Sequence, residues 1–310
     1  MLSTGPTHPV LLQRIVEDGL VLQIGPFSIG LKIQETEVAR EVLALYEGYP
    51  FSLKPELLDF RIELKPLPLL RAGMRRRIQA YVDHQTVFKP VPPHLGVPLL
   101  ESAINWCIGN RIARYLLIHG AVVEREGRAV VLPGSSGAGK STLTAALVAE
   151  GWRLLSDEVT IIDPRDGLLR PHPRPISLKN ETIGLIASRY PQLAAKKHYE
   201  GTTKGRVAFL KAPPEAIQKA DCPARPSLLV ALAYHSDSHL TCDRLEKAKA
   251  FMLLARQSPS YAIMLERGFH TLANFVEACD HYALTYSDLD EAVRTINELS
   301  HGAAKDTQAA

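Results

Sequence analysis

The 310-residue chain predicts an α/β fold, a phosphate-loop domain preceded by a small α+β N-terminal domain. Three observations carry that expectation. The first hundred residues hold short runs of near-alternating apolar residues, rich in β-branched and aromatic types, the pattern of half-buried strands. A proline-rich stretch, Phe88 to Pro98, then interrupts the pattern and marks a boundary. Beyond it an apolar strand runs into a glycine-rich loop, a helix-forming run and a further strand, the order of a βαβ unit. The division expected is residues 1–94, residues 95–300 and a disordered tail over residues 301–310.

Each element has its own warrant. Strands are expected at GLVLQIG, FSIGLKI, DFRIELKPL and RRRIQAYVD with TVFKPV, forming a largely antiparallel sheet. One helix, TEVAREVLALYEG, should pack on it, because Val38, Val42, Leu43 and Tyr46 fall on one face and Gly48 ends it. A second helix is predicted from about Leu99 to Leu116, with Leu100, Ile104, Cys107, Ile108, Ile112 and Tyr115 at steps of three or four. LIHGAVVEREGRAVVLPG reads as a hairpin turning at Glu126-Gly127, followed by a helix KSTLTAALVAEG and a strand RLLSDEVTIID. Later come an apolar strand PSLLVALAY and helices near RLEKAKAFMLLAR and FHTLANFVEAC. A last helix should open at Ser287, with Asp290 three residues on as a capping partner.

Composition narrows the partners. A net charge of +3, with 22% charged and 46% hydrophobic residues, is that of an ordinary globular protein and gives no footprint for nucleic acid or an acidic membrane. Arg75-Arg76-Arg77 reads as a solvated face. Cys107, Cys222, Cys242 and Cys279 lie far apart without metal-ligand spacing, as reduced thiols do. The N-terminal residues lack a basic region followed by an apolar core, and no run approaches the ~18 apolar residues of a membrane span. The expectation is a soluble, cytoplasmic protein.

Gly134-Ser135-Ser136-Gly137-Ala138-Gly139-Lys140-Ser141, followed by Thr142, fits G-x-x-x-x-G-K-[ST] at every fixed position. Glycines let successive N–H groups point inward without a Cβ in the way, and the following helix aims its positive end at the same place. Lys140 would bridge the outer phosphates of ATP, and the Ser141 hydroxyl is placed to ligate Mg²⁺. Asp157-Glu158 ends the apolar run WRLL only 17 residues after Lys140 (157 − 140), so the acids come from the next strand of the chain. An ABC-type ATPase would insert a helical segment and an LSGGQ-like run there, and a GTPase switch would carry an NKxD-type motif; the chain has neither. An acid one strand away suits a compact kinase, orienting an acceptor hydroxyl or holding metal. His119-Gly120 opens the hairpin 21 residues before Lys140 (140 − 119).

From His119 through Ile162 this wording resembles the core of bacterial HPr kinase/phosphorylase, and it looks closer still to HPr-kinase-related kinase A proteins of peptide-modification clusters. The resemblance implies a P-loop kinase domain of HPr-kinase (PEP carboxykinase-like) type. It places the family's HG histidine on His119, its loop lysine on Lys140 and its metal-binding serine on Ser141. The family's acidic pair is Asp-Asp, and its second acid, the base, falls on Glu158. Both acids are therefore candidates for the base, Asp157 being favoured as the one nearer the strand end; the alternative role for either acid is Mg²⁺ ligation, and the metal residues expected are Ser141 and Asp157. A later family motif carries a metal-binding glutamate; KNETIGLI places Lys179 there, with Glu181 two residues on. That departure weakens the case for a reverse phosphorylase reaction and for recognition of HPr itself.

The resemblance implies ATP·Mg²⁺-dependent transfer to a serine or other hydroxyl of a small protein or precursor peptide, with a PqqD-like chaperone as a further partner. The N-terminal domain would recognise the acceptor or mediate homo-oligomer contacts. Lys204 and Arg206, in the basic segment around Gly205, are read either as a solvated loop or as cations steadying the transferred phosphoryl group. Two other readings stay open: a small-molecule kinase, and a nucleotide-dependent regulatory module without transfer.

Overall fold

The computed structural model describes residues 9–53, 57–68 and 75–307. The first eight residues of the segment read for a targeting signal, and residues 308–310 of the expected tail, lie outside the described residues. The chain enters through α1 (Pro9–Glu17), which buries Leu11 and Ile15 four residues apart. It continues through β1 (Leu20–Ile24), β2 (Phe27–Ile33), α2 (Thr36–Leu45), β3 (Phe51–Ser52), β4 (Phe60–Pro66), β5 (Ile78–Val82) and β6 (Gln85–Thr86). These strands form one sheet in the order β3-β1-β2-β4-β5-β6; β2 and β4 run parallel and every other neighbour antiparallel. Alternation decides which face is buried: Phe27, Ile29, Leu31 and Ile33 of β2 point inward. α1 lies outside the elements the sequence predicts, because its run VLLQRIVE is too short to show a helical period.

α3 (Gly96–Arg111) ends five residues before the expected Leu116. Ile112 is already extended (φ −98°, ψ 109°), and Leu116 pairs with Ile162, so a strand partner takes over what helical periodicity alone would have continued. β7 (Leu116–Arg125) and β8 (Arg128–Pro133) form the expected hairpin. Glu126 (φ 55°) and Gly127 (φ 80°) make the two-residue turn whose twist suits a tight hairpin. α4 (Lys140–Ala149) follows the glycine loop.

The expected strand RLLSDEVTIID is two strands, β9 (Arg153–Ser156) and β10 (Val159–Ile162). β9 pairs with Val122–Glu124 of β7, and β10 with Leu116–His119 of the same strand. The acidic pair sits at the break between them. The chain then forms β11 (Ile176–Lys179), α5 (Glu181–Arg189), β12 (His198–Thr202), β13 (Gly205–Leu210), α6 (Pro214–Gln218), β14 (Arg225–Tyr234), β15 (Thr241–Arg244), α7 (Lys247–Arg256), α8 (Tyr261–Glu277), β16 (Asp280–Tyr286) and α9 (Leu289–Thr307).

The second sheet has the order β10-β7-β8-β14-β16-β15, with β9 also on β7; β8, β14 and β16 run parallel. Side-chain parity splits its two faces. Leu117, Ala121, Val123, Val130 and Leu132 join a large core that also takes in the first sheet and α4. Leu116, Ile118, Val122, Ala129 and Val131 face a second core under α7 and α8. A third sheet, β11-β13-β12, makes a hairpin of the basic segment around Gly205. The cap of α9 is Asp288, whose Oδ1 accepts from the Asp290 and Glu291 N–H groups; Ser287 Oγ instead donates to Ser238 O. The shift from Ser287 to Asp288 reflects a carboxylate being nearer the first free N–H groups of the helix.

A strap over residues 170–175 ties the first sheet to the second. Tyr49 Oη donates to Pro173 O at 2.6 Å, and the His172 ring packs edge-on against Phe27. Arg174 forms a buried ion pair with Glu101 of α3, which also accepts from Tyr46 Oη at 2.6 Å.

Candidate active site

The loop between β8 and α4 is shaped by its glycines. Gly137 (φ 90°) and Gly139 (φ 87°) occupy the left-handed region, and a Cβ on Gly139 would also collide with the Tyr286 hydroxyl from β16. Ser135, Ser136 and Gly137 are exposed, Ala138 is buried, and Lys140, Ser141 and Thr142 open the first turn of α4, so backbone N–H groups and helix terminus converge. Lys140 is buried; its Nζ donates to Gly134 O at 2.6 Å and Ser135 O at 2.9 Å. Burial lowers its pKa, against the opposing pull of Glu158 and Asp157.

The structure brings the two acids to this loop and gives them different surroundings. Asp157 is 3% exposed. Its Oδ2 accepts from Ser141 Oγ and from the Ser177 N–H, both at 3.1 Å, while its Oδ1 is buried without a protein partner. Burial, reinforced by the charge of Glu158, pushes its pKa up to about 7. Glu158 is more open. Its carboxylate lies 3.7 Å from His119 Nδ1, an ion-pair separation too long for a hydrogen bond. The backbone fixes that approach, since His119 pairs with Val159 across the sheet and Gly120 N–H donates to Glu158 O at 3.2 Å. Burial, and then the charge of Lys140, lower the His119 pKa.

Other expected residues divide. The charge of Lys179, at the end of β11, is felt by His119, Lys140 and Asp157, whereas Glu181 opens α5 and is exposed. Lys204 sits at the β12–β13 turn and lines a cavity of about 80 Å³ beside the acids; Arg206 lies 3.8 Å from Glu200 on the exposed side of that hairpin. The same cavity is lined by Glu101 and Asn105 of α3 and by His172 and Arg174 of the strap, none of which was anticipated. His172 and Arg174 lie in a proline-rich, basic run after Pro164 whose extended backbone has no periodicity to read, while Glu101 and Asn105 belong to the expected helix and carry no local signal of a site.

A magnesium ion fits the donors present. Ser141 Oγ and an unpartnered, buried Asp157 Oδ1 are hard oxygen ligands, and Mg²⁺ is commonly held by one or two carboxylates with phosphates supplying the rest. No group of three or more His, Cys, Asp or Glu side chains gathers among the described residues to hold a metal ion, this site included.

Residues 103–198 match the family model described as SynChlorMet cassette protein ScmC. The HPr kinase/phosphorylase of Brevibacillus brevis is 37% identical over 167 residues, covering 46% of this chain and 54% of that protein. That of Lactobacillus delbrueckii subsp. bulgaricus is 39% identical over 189 residues, covering 52% and 59%. The chain thus spans a little over half the length of the curated relatives it matches. A solved Hpr(Ser) kinase/phosphatase from Coxiella burnetii aligns at 12% identity with a TM-score of 0.30, over 62% of this chain and 98% of that one. No described helix is long and apolar enough to cross a membrane. In sequence, the chain resembles the HPr kinase/phosphorylases.

Proposed function

We propose that the protein transfers the γ-phosphoryl group of ATP to a serine or other hydroxyl of a small protein or ribosomally made peptide. The observation that carries this reading is the hydrogen bond between Ser141 of the phosphate loop and the buried Asp157, beside a more open Glu158 next to His119. It joins a phosphate cradle to two carboxylates in different environments, which is what separate metal and base roles require. In this reading the loop residues 134–142 and Lys140 hold the phosphates of ATP. Ser141 and Asp157 hold Mg²⁺, which when bound neutralises charge on the transferring group. Glu158, the more exposed acid, takes the hydroxyl proton in place of the Asp157 favoured from sequence, because Asp157 is buried against Ser141 of the loop; His119 orients Glu158. Lys179 and Lys204 add positive charge around the equatorial oxygens.

The names of the relatives support a protein acceptor, and the cassette-protein match supports a partner encoded nearby, with a PqqD-like chaperone as one candidate. The free cysteines fit a cytoplasmic setting. We read residues 1–94 as a domain that serves acceptor recognition or homo-oligomer contacts, and residues 95–300 as the catalytic domain. Incubation with γ-labelled ATP, candidate peptides and metabolites tests the reading. Label on peptide or protein hydroxyls is expected, and label confined to free metabolites contradicts it.

A further inference from the structure

The phosphate loop has two flanks with different chemistry. β8, which feeds the loop, lies between β7 and β14. The acids stand on the β7 flank, where Asp157 accepts from Ser141 Oγ and Glu158 O accepts from the Gly120 N–H. On the other flank β8, β14 and β16 run parallel, so their carboxyl ends open on one edge of the sheet. β14 and β16 finish there on register partners, Tyr234 and Tyr286. The glycines of the loop show how close that flank comes. A Cβ on Gly134 would lie 3.5 Å from Leu232 O, and one on Gly139 would lie 3.4 Å from Tyr234 Cβ.

The two tyrosines are unequal. Tyr286 is buried and Tyr234 is 45% exposed, and their rings meet edge to face with centroids 5.6 Å apart. Only two aromatic rings are exposed among the described residues, Tyr234 and Phe269, and Tyr234 is the one beside the loop. The turn that follows it is pinned at both ends. His235 N–H donates to Tyr286 O at 3.1 Å, and Ser287 Oγ donates to Ser238 O at 2.8 Å. A ring that is half open and held in place offers a π-face on which a nucleobase can stack.

We propose that Tyr234 stacks the base of the bound nucleotide, so that ATP lies across the loop with its γ-phosphate at Asp157 and its adenine beyond the end of β14. The proposal rests on the reading of the loop as an ATP site. Direction follows from the two flanks. Ser141 and Asp157 hold the metal and the terminal phosphates on one side, and the acceptor hydroxyl approaches there past Glu158. The nucleoside then leaves by the other side, outside the carboxyl ends of β14 and β16, where open α/β sheets commonly bind ligands. Tyr286 backs the Tyr234 ring and fixes its distance from the loop.

The test compares two ligands that differ by the nucleoside, Mg·ATP and Mg·tripolyphosphate, titrated calorimetrically into the full chain. Tyr234→Ala should weaken ATP by ~10-fold or more and leave tripolyphosphate within ~2-fold, because only the base has lost a partner. Tyr234→Phe keeps the ring and should hold both ligands within ~3-fold of wild type. Equal loss of both ligands in Tyr234→Ala, or no loss of either, overturns the proposal. A second measurement leaves the wild-type chain intact. The ring resonances of Tyr234, identified by their absence in Tyr234→Phe, should shift on adding Mg·ATP and stay in place with Mg·tripolyphosphate. The same response to both ligands, or none to ATP, refutes the stacking. Neither experiment reads phosphoryl transfer. A chain that stacks ATP on Tyr234 but labels no peptide would refute the kinase reading and keep this site, and the reverse pattern would refute this site alone.

Discussion

Asp157 holds its proton to about pH 7 because its carboxyl is sealed from water beside Glu158. A pKa raised from 3.8 means the folded state binds a proton that the unfolded state has lost. The resulting stability is complete below about pH 4 and disappears as pH rises through 7. Relative to Asp157→Asn, the wild-type protein without nucleotide should therefore lose up to about 4 kcal/mol between pH 4 and 8, measured by urea unfolding. A pH-independent difference would show that Asp157 is ionised throughout. His172 has the opposite sign. Its pKa is lowered to about 3, so its contribution is complete above pH 6.5 and is lost as pH falls towards 3. In His172→Gln the acid limb of the stability profile should flatten by ~1 kcal/mol per pH unit.

At the scale of elements, the loop depends on its neighbour strand as well as on its own glycines. Gly139→Ala should weaken ATP binding at least ~10-fold, because a non-glycine residue there is strained by ~1–3 kcal/mol even before the contact with Tyr286. Adding Tyr286→Phe removes the colliding hydroxyl, so the double variant should recover part of the affinity in calorimetric titration. No recovery would place the whole cost in the backbone. The broken strand explains why the acids differ. Continuous pairing would have put Asp157 and Glu158 on opposite faces of one strand; the break lets both turn to the loop, one towards Ser141 and the other towards His119. Spacing places the acids one helix after Lys140, but the break depends on β7 pairing with β9 and β10 in turn as well as with β8, which local sequence does not encode.

Across the whole molecule, the large core runs from Leu11 through the first sheet to Ile296 in α9, and the Tyr46–Glu101–Arg174 network crosses the seam. Removing one partner of a buried ion pair leaves the other uncompensated, so Glu101→Leu should cost ~3–5 kcal/mol. Near- and far-ultraviolet signals should still fall in one transition, whereas two transitions would show that the sheets unfold separately. Much of this architecture was legible in the chain. The hairpin at Glu126-Gly127, the loop, α4 and β14 announce themselves through turn residues and periodicity. The strap did not, because prolines give it an extended path whose partners, Glu101 and Ile24, lie 73 and 148 residues away in sequence. The site was legible to the same degree. Loop, acids and histidine follow from local wording, while Ser177, His172 and Arg174 are brought in by tertiary packing alone.

The most direct test of the central claim compares Glu158→Gln and Asp157→Asn in single-turnover transfer of labelled phosphate from ATP at several Mg²⁺ concentrations. If Glu158 is the base and Asp157 holds the metal, Glu158→Gln should lower the transfer rate by ~10²–10⁴-fold at every Mg²⁺ concentration with ATP affinity retained. Asp157→Asn should instead raise the Mg²⁺ concentration needed for half-maximal transfer. Transfer that persists at the wild-type rate in Glu158→Gln would contradict the account.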